Sequence, residues 1–107
     1  MKLLSRAEEI ILLAVISLEG NAYGLSIQDF IRETVGMEWS LAQIYDPLKK
    51  LARKGYVRKG IGEPTPARGG RHKCLYTVTP AGRVALFDIR KVQDRVWGAV
   101  PKEVLSR

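Results

Sequence analysis

The chain has 107 residues, of which 46% are hydrophobic, and it carries a formal net charge of +7 at pH 7. This length suits a single domain, residues 1–107, and the longest apolar run, residues 10–16, is too short to span a membrane. One Cys and one His exclude an intrachain disulfide and argue against a metal site or a catalytic triad. We therefore expect a cytoplasmic protein with no cofactor and no enzymatic activity.

The positive charge is concentrated in one segment. Residues 49–73 contain nine Lys and Arg residues against a single carboxylate, Glu63, whereas the rest of the chain is close to neutral. Such a segment is typical of proteins that bind a polyanion. A solvated basic face without a partner is the alternative.

A capping-box pattern, Ser5 followed by Glu8, predicts the start of a first helix, which should end near Glu19. Residues 10–16 are apolar on every side, so this helix should be buried almost all round. Its own domain could enclose the whole helix, but in a chain of this length a second subunit is the more economical way to bury the remaining sides. We therefore include Ile11 and Val15 in a predicted dimer interface.

A second helix is predicted from about Tyr23 to Val35, with Gly20 before it and Gly36 ending it. Tyr23 lies in its first turn, where the free N–H groups of a helix attract anions. Its hydroxyl is therefore a candidate donor to a phosphate, with simple packing as the alternative.

An amphipathic third helix is predicted between Ser40, its N-cap, and Gly55, which stops it. Gln43 at the third helical position would complete a capping box. Pro47 removes one backbone hydrogen bond, so we expect a kink or an irregular first turn. The predicted apolar face contains Leu41, Ile44, Tyr45, Leu48, Leu51 and Ala52, and the opposite face contains Gln43, Asp46 and Lys50.

Two short strands, predicted at Tyr56–Ile61 and Cys74–Val78, flank a loop rich in Gly, Pro and Arg. An amphipathic helix followed by a hairpin with a long basic tip is typical of a winged helix-turn-helix. Cys74 lies beside basic residues and could be a redox-sensitive thiol, although packing in the strand is the plainer interpretation.

A last helix begins at Thr79 and Pro80, a capping residue followed by a proline suited to the first turn, and should run to about Trp97. Pro101 should end helical structure, with frayed residues beyond it. Two separate apolar sides suggest that one faces a partner subunit. The predicted dimerisation residues are Ile11, Val15, Ala85, Ile89, Val92, Val96 and Trp97.

These elements predict a mainly α fold with a small β-hairpin. A winged helix-turn-helix would occupy about residues 5–79, and a C-terminal dimerisation helix about residues 80–98.

The order and spacing of these elements resemble the PadR-like transcriptional regulators across nearly the whole chain. The matching segments are AYGLSI, QIYDPLKKLARKGYV and GGRHKCLYTVTPAG. The chain departs from the family pattern where Asp46 separates Tyr45 from Pro47, and where Cys74 and Leu75 replace a basic and an aromatic residue. The single terminal helix resembles the smaller branch of the family.

This resemblance implies a homodimeric winged-helix repressor that binds a palindromic operator in double-stranded DNA and is released by a small aromatic molecule. We expect Gln43 and Lys50 to face bases, and Arg71 and Arg68 to reach the minor groove or its phosphates. The full set of predicted DNA-binding residues is Tyr23, Ser40, Gln43, Tyr45, Lys49, Lys50, Arg53, Lys54, Arg68, Arg71 and Lys73.

Two alternatives remain open. The winged helix could serve protein–protein contact without sequence-specific DNA binding. A ligand-binding pocket could also lie between subunits, lined by Trp97 and its neighbours, although Trp97 is more simply interpreted as core packing.

Overall fold

The computed structural model describes residues 2–64 and 72–106. Five helices and one hairpin follow in the order α1 (Arg6–Ser17), α2 (Gly24–Val35), α3 (Leu41–Arg53), β1 (Val57–Pro64), β2 (His72–Val78), α4 (Pro80–Gly98) and α5 (Lys102–Leu105). This arrangement confirms the predicted fold class, mainly helical with a two-stranded antiparallel hairpin.

The start of α1 is fixed by the predicted capping box. The backbone N–H of Glu8 donates to Ser5 Oγ at 3.1 Å, and the N–H of Ser5 donates to Glu8 Oε1 at 2.8 Å. Gly20 follows the helix with φ of 81°, a left-handed conformation that glycine adopts without a steric penalty.

The core is built around α1. Ile11, Leu12 and Ala14 are fully buried, as are Ile27 and Ile31 of α2. Val15 of α1 and the inner residues of α3 complete the same cluster. The protomer itself therefore encloses most of α1, and only a strip that includes Leu13 remains exposed.

The apolar face of α3 is narrower than predicted. Ile44, Leu48 and Leu51 are buried, whereas Leu41 is 38% exposed and Ala52 is also exposed. These two residues lie at the edge of the apolar face, so the helix turns them toward solvent. Both belong to the predicted apolar face, but they are not part of the core.

Pro47 lies inside α3 without interrupting it. The helix runs from Leu41 to Arg53, and both bonds of its capping box are present, from Gln43 N to Ser40 Oγ at 3.2 Å and from Ser40 N to Gln43 Oε1 at 2.8 Å. The expectation of an irregular first turn is therefore wrong, and the alternative expectation, a kink, stays a prediction. Because Pro47 has no backbone N–H, the carbonyl of Gln43 lacks its usual hydrogen bond within the helix. Gln43 is exposed, and water can donate to a carbonyl at the surface.

The hairpin strands extend further toward the tip than predicted. β1 reaches Pro64 rather than Ile61, and β2 begins at His72 rather than Cys74, with a register irregularity between Ile61 and Pro64. Val57 pairs with Val78, and both are buried against the helices.

The start of α4 is hydrogen-bonded to, and packs closely against, the segment between α3 and β1. Thr79 Oγ1 accepts from Gly82 N at 3.1 Å and donates to the carbonyl of Gly55 at 2.6 Å. A Cβ at Gly82 would lie 2.3 Å from the carbonyl oxygen of Tyr56, so only glycine fits there. Beyond Pro101 the chain forms the one-turn helix α5, so the prediction that helical structure ends at Pro101 is wrong.

Candidate nucleic-acid interface

The side of α3 that faces away from the core is polar and mostly basic. At 100° per residue, the positions opposite the buried side are Ala42, Asp46, Lys49, Lys50 and Arg53, and all five are exposed. Within the described residues, the three cations make no hydrogen bond or ion pair. Their charge is therefore available to an external anion.

Ser40 and Gln43 stand at the N-terminus of this face. Ser40 is exposed and caps the helix. The Gln43 side-chain oxygen is engaged with Ser40, but its exposed amide nitrogen makes no bond within the described residues. Gln43 can thus cap the helix and still donate to a ligand.

Tyr45 does not belong to the outward face. It is half-buried, and a Cβ at Gly24 would lie 2.1 Å from its hydroxyl oxygen, which places its ring against the first turn of α2. Its side chain therefore packs α3 against α2, and the predicted contact of Tyr45 with DNA stays a prediction.

Tyr23 is the N-cap residue of α2 and is half-buried. Its backbone N–H donates to Ser26 Oγ at 2.9 Å, which fixes the chain at the entrance to the helix. The residue therefore lies at the helix N-terminus, as expected for a phosphate contact, and this role stays a prediction.

Lys54 is engaged within the protomer. Its Nζ donates to Glu8 Oε2 at 2.7 Å, and the Glu8 side chain is only 8% exposed. Lys54 is nevertheless exposed at the end of α3, so its predicted contact with a phosphate stays a prediction.

The pKa of Glu8 reflects this environment. Burial is the largest influence and raises it. The hydrogen bonds from Lys54 and from the Ser5 backbone, together with the charge of Lys54, outweigh burial and hold the pKa below its ordinary value. Glu8 is thus an ionised partner for Lys54 at neutral pH.

A groove of about 350 Å³ separates α3 from the hairpin. We call it the α3–hairpin groove; it is lined by Leu48, Lys49, Ala52, Arg53, Lys59 and Tyr76. Sequence reasoning did not single out Lys59 as a site residue. The strand register pairs Lys59 with Tyr76 and so places it at the groove, and this register is known from the structure alone.

Tyr76 forms the floor of this groove and is 8% exposed. Burial raises its pKa to about 12, with smaller contributions from the charge and hydrogen bond of Cys74 and from Tyr45. The phenol therefore stays protonated. Cys74 is half-buried and packs against the core, which agrees with the plainer interpretation of this residue.

Arg68 and Arg71 at the hairpin tip lie outside the described residues. Lys73 lies in β2, on the tip side of the strand. The predicted minor-groove contacts therefore remain predictions.

The predicted dimer interface needs partial correction. Ile11 is 0% exposed and Val15 is 1% exposed, so both belong to the core of the protomer and cannot contact a partner. Ile89, at 8%, also packs in that core. Ala85 and Val92 are half-buried, while Val96 and Trp97 are each 61% exposed, so Trp97 is not core packing.

A groove of about 500 Å³ runs between α1 and α4. We call it the α1–α4 groove; it is lined by Glu9, Leu13, Ile16, Arg83, Leu86, Phe87, Arg90, Gln93, Asp94 and Trp97. Leu13 is 46% exposed and Phe87 is 65% exposed, and neither was among the predicted dimerisation residues. The all-apolar stretch of α1 gave no signal to separate Leu13 from its buried neighbours.

None of the described helices is long and apolar enough to cross a membrane. Over residues 2–64 and 72–106, no cluster of His, Cys, Asp and Glu side chains could hold a metal ion.

Solved structures resemble the chain in fold. A transcriptional regulator from Clostridium thermocellum aligns with a TM-score of 0.70 at 24% identity, covering 92% of this chain and 85% of that one. A PadR family transcription regulator from Clostridium difficile gives 0.69 at 24%, covering 95% and 100%. Bacillus subtilis PadR, solved in complex with operator DNA, gives 0.59 at 27%, covering 78% of this chain and 46% of that one.

Among functionally curated proteins, no sequence matches the chain significantly. The family profile of the transcriptional regulator PadR-like family, however, matches residues 12–88, well over half of the chain. Members of that family are transcription regulators, not enzymes. The chain therefore belongs to the PadR-like family of transcriptional regulators.

Proposed function

We propose that this regulator is a homodimeric repressor that binds a palindromic operator through α3 and is released by a small aromatic effector. The observation that carries the DNA-binding part is the outward face of α3, where Lys49, Lys50 and Arg53 are exposed and unpaired within the described residues. Bacillus subtilis PadR, which was solved on operator DNA, supports the same use of the fold.

The α3–hairpin groove supports a contact with the DNA phosphate backbone beside the outward face of α3. Lys49, Arg53 and Lys59 surround it, so a phosphate placed there would meet three cations. Ser40 and Tyr23 at helix N-termini, and Arg68, Arg71 and Lys73 at or near the hairpin tip, would extend these contacts along the duplex.

The α1–α4 groove supports both assembly and ligand binding. Phe87 and Trp97 expose large apolar surfaces on one side of α4, and a partner subunit would remove them from water. A volume of about 500 Å³ also lies within the range of small-molecule sites. Two symmetric α3 helices would then stand about 34 Å apart, or a multiple of that spacing, to enter successive major grooves. This activity would place the protein in the cytoplasm.

The test begins with selection of bound fragments from the source genome by the purified protein. Binding of a selected fragment is then measured across a salt series for wild type, Arg53→Ala and Lys102→Ala. Both changes remove one exposed cation, but Lys102 lies in α5, away from the outward face of α3. We expect Arg53→Ala to weaken binding and to lower the log–log salt slope by about 0.9, with Lys102→Ala close to wild type.

Equal behaviour of the two variants would contradict the role of α3. Failure to select any fragment, together with binding insensitive to salt, would favour the protein–protein module instead.

A further inference from the structure

The outward face of α3 contains one carboxylate, which the proposed function does not explain. Asp46 is the sixth residue of this 13-residue helix and lies on the side opposite Ile44 and Leu48. It is exposed, and within the described residues its carboxylate accepts no hydrogen bond and forms no ion pair, even with Lys49 and Lys50 one turn away.

A carboxylate on a surface that approaches DNA is unfavourable unless it meets a donor. It repels phosphates, and an ionised carboxylate can only accept hydrogen bonds. In the major groove the available donors are the N4 amino group of cytosine and the N6 amino group of adenine. Asp46 therefore favours cytosine or adenine, and it disfavours guanine and thymine, whose major-groove edges present hydrogen-bond acceptors.

Cytosine fits this carboxylate better than adenine. The adenine amino group lies next to the acceptor N7, which would face the second oxygen of the carboxylate, whereas the major-groove edge of cytosine has no acceptor of its own. The guanine paired with that cytosine presents O6 and N7, and Lys50, four residues after Asp46 on the same side of α3, can donate to them.

We propose that Asp46 is a specificity-determining residue that accepts a hydrogen bond from cytosine N4 in each operator half-site. This inference rests on the proposed insertion of α3 into the major groove. Residues near the N-terminus of a recognition helix commonly reach base edges, and Asp46 lies in the first half of α3. The hydrogen bond from cytosine offsets the repulsion between Asp46 and the phosphates, so Asp46 makes binding depend on the base at this position.

The experiment is selection from a pool of randomised DNA duplexes by wild type, Asp46→Asn, Asp46→Ala and Glu19→Gln. Asn pairs with adenine N6 and N7, so Asp46→Asn should replace cytosine by adenine at one position of each half-site. Asp46→Ala should lose preference there by about tenfold and bind unselected DNA more tightly, because a repulsive charge is gone. Glu19 is also an exposed carboxylate but follows α1, so Glu19→Gln should keep the wild-type motif.

Each outcome separates the two proposals. A wild-type motif that stays the same in both Asp46 variants would overturn the role of Asp46 and leave the DNA-binding function standing. A wild-type protein that selects no motif would overturn the proposed function, and the role of Asp46 with it. Thermal unfolding of the Asp46 variants should match wild type, because the side chain makes no bond within the described residues whose loss would destabilise the fold.

Discussion

Lys54, the C-cap residue of α3, donates through Nζ to Glu8 Oε2 in the first turn of α1, 2.7 Å away. The adjacent carboxylate, Glu9, accepts two hydrogen bonds from Gln93 Nε2 of α4, at 3.0 and 3.1 Å. Two neighbouring residues of α1 thus contact the end of the proposed recognition helix and the C-terminal half of the proposed dimerisation helix.

The Glu8–Lys54 pair predicts a loss of stability in acid. Because the folded pKa of Glu8 is lowered, the carboxylate stabilises the fold fully above the pKa of an unfolded glutamate, about 4.3. As pH falls further, the unfolded chain takes up the proton first, and this stabilisation is lost through the folded pKa. Urea unfolding at a series of pH values should show a smaller acid-dependent loss for Glu8→Gln than for wild type.

Removal of the Lys54 charge should lower stability already at neutral pH. Lys54→Met leaves the Glu8 carboxylate buried without its lysine and should lower the free energy of unfolding at pH 7 by about 1–3 kcal/mol. Lys50→Met removes a lysine that is exposed and unpaired within the described residues, so its unfolding free energy should stay near wild type. Equal stability of the two variants would mean that the Glu8–Lys54 pair does not stabilise the fold.

Two glycines of α4, Gly82 and Gly98, should respond differently to substitution by alanine, because only one of them has space for a Cβ. A Cβ at Gly82 would lie 2.3 Å from the carbonyl oxygen of Tyr56 and 2.8 Å from Val78 Cγ1, so Gly82→Ala should destabilise the protein by about 1–3 kcal/mol. At Gly98, at the other end of the helix, a Cβ would meet nothing within 4 Å, and Gly98→Ala should be neutral or stabilise by up to about 1 kcal/mol. Calorimetric melting of both variants checks this, and a stable Gly82→Ala protein would show that α4 can shift away from Tyr56 and Val78.

The sequence was most informative where structure is local. Both capping boxes, at Ser5 and Ser40, were predicted because each depends on residues three positions apart. The Glu8–Lys54 pair could not be predicted, because its partners are 46 residues apart and only the tertiary fold brings them together.

Three of the predicted dimer residues, Ile11, Val15 and Ile89, were misplaced for a related physical reason. Hydrophobicity indicates that a side chain leaves water, but not whether it packs within its own protomer or against a second one. Ile11 and Leu13 have the same chemistry and lie two residues apart, yet one is fully buried and the other is 46% exposed. The packing of α1 on the rest of the protomer decides between them.

The proposed dimer can now be tested with exposed residues rather than buried ones. Phe87→Glu or Trp97→Glu should give a folded monomer in sedimentation at micromolar concentration, because each places a charge on a surface that the partner would cover. Ile61→Glu is the control, since Ile61 is 80% exposed on β1 and does not line the α1–α4 groove. Ile89→Glu should unfold the protein instead, as Ile89 is only 8% exposed. A wild-type protein that sediments as a monomer would refute the assembly.

Gln43 has two separable roles, one in capping and one in base recognition. Its side-chain oxygen accepts from Ser40 N at 2.8 Å, while its amide nitrogen is free to donate within the described residues. Gln43→Glu keeps a capping-box acceptor but removes the donor, so the stability of the fold should be retained while sequence preference changes. Gln43→Ala removes both and should also destabilise α3 by about 0.5–1 kcal/mol.

Preference is measured as the ratio of affinities for selected and altered duplexes, which cancels the general repulsion from the added charge. If Gln43→Glu leaves this ratio unchanged, Gln43 serves only as a cap, and base recognition by α3 would depend on Asp46 and Lys50.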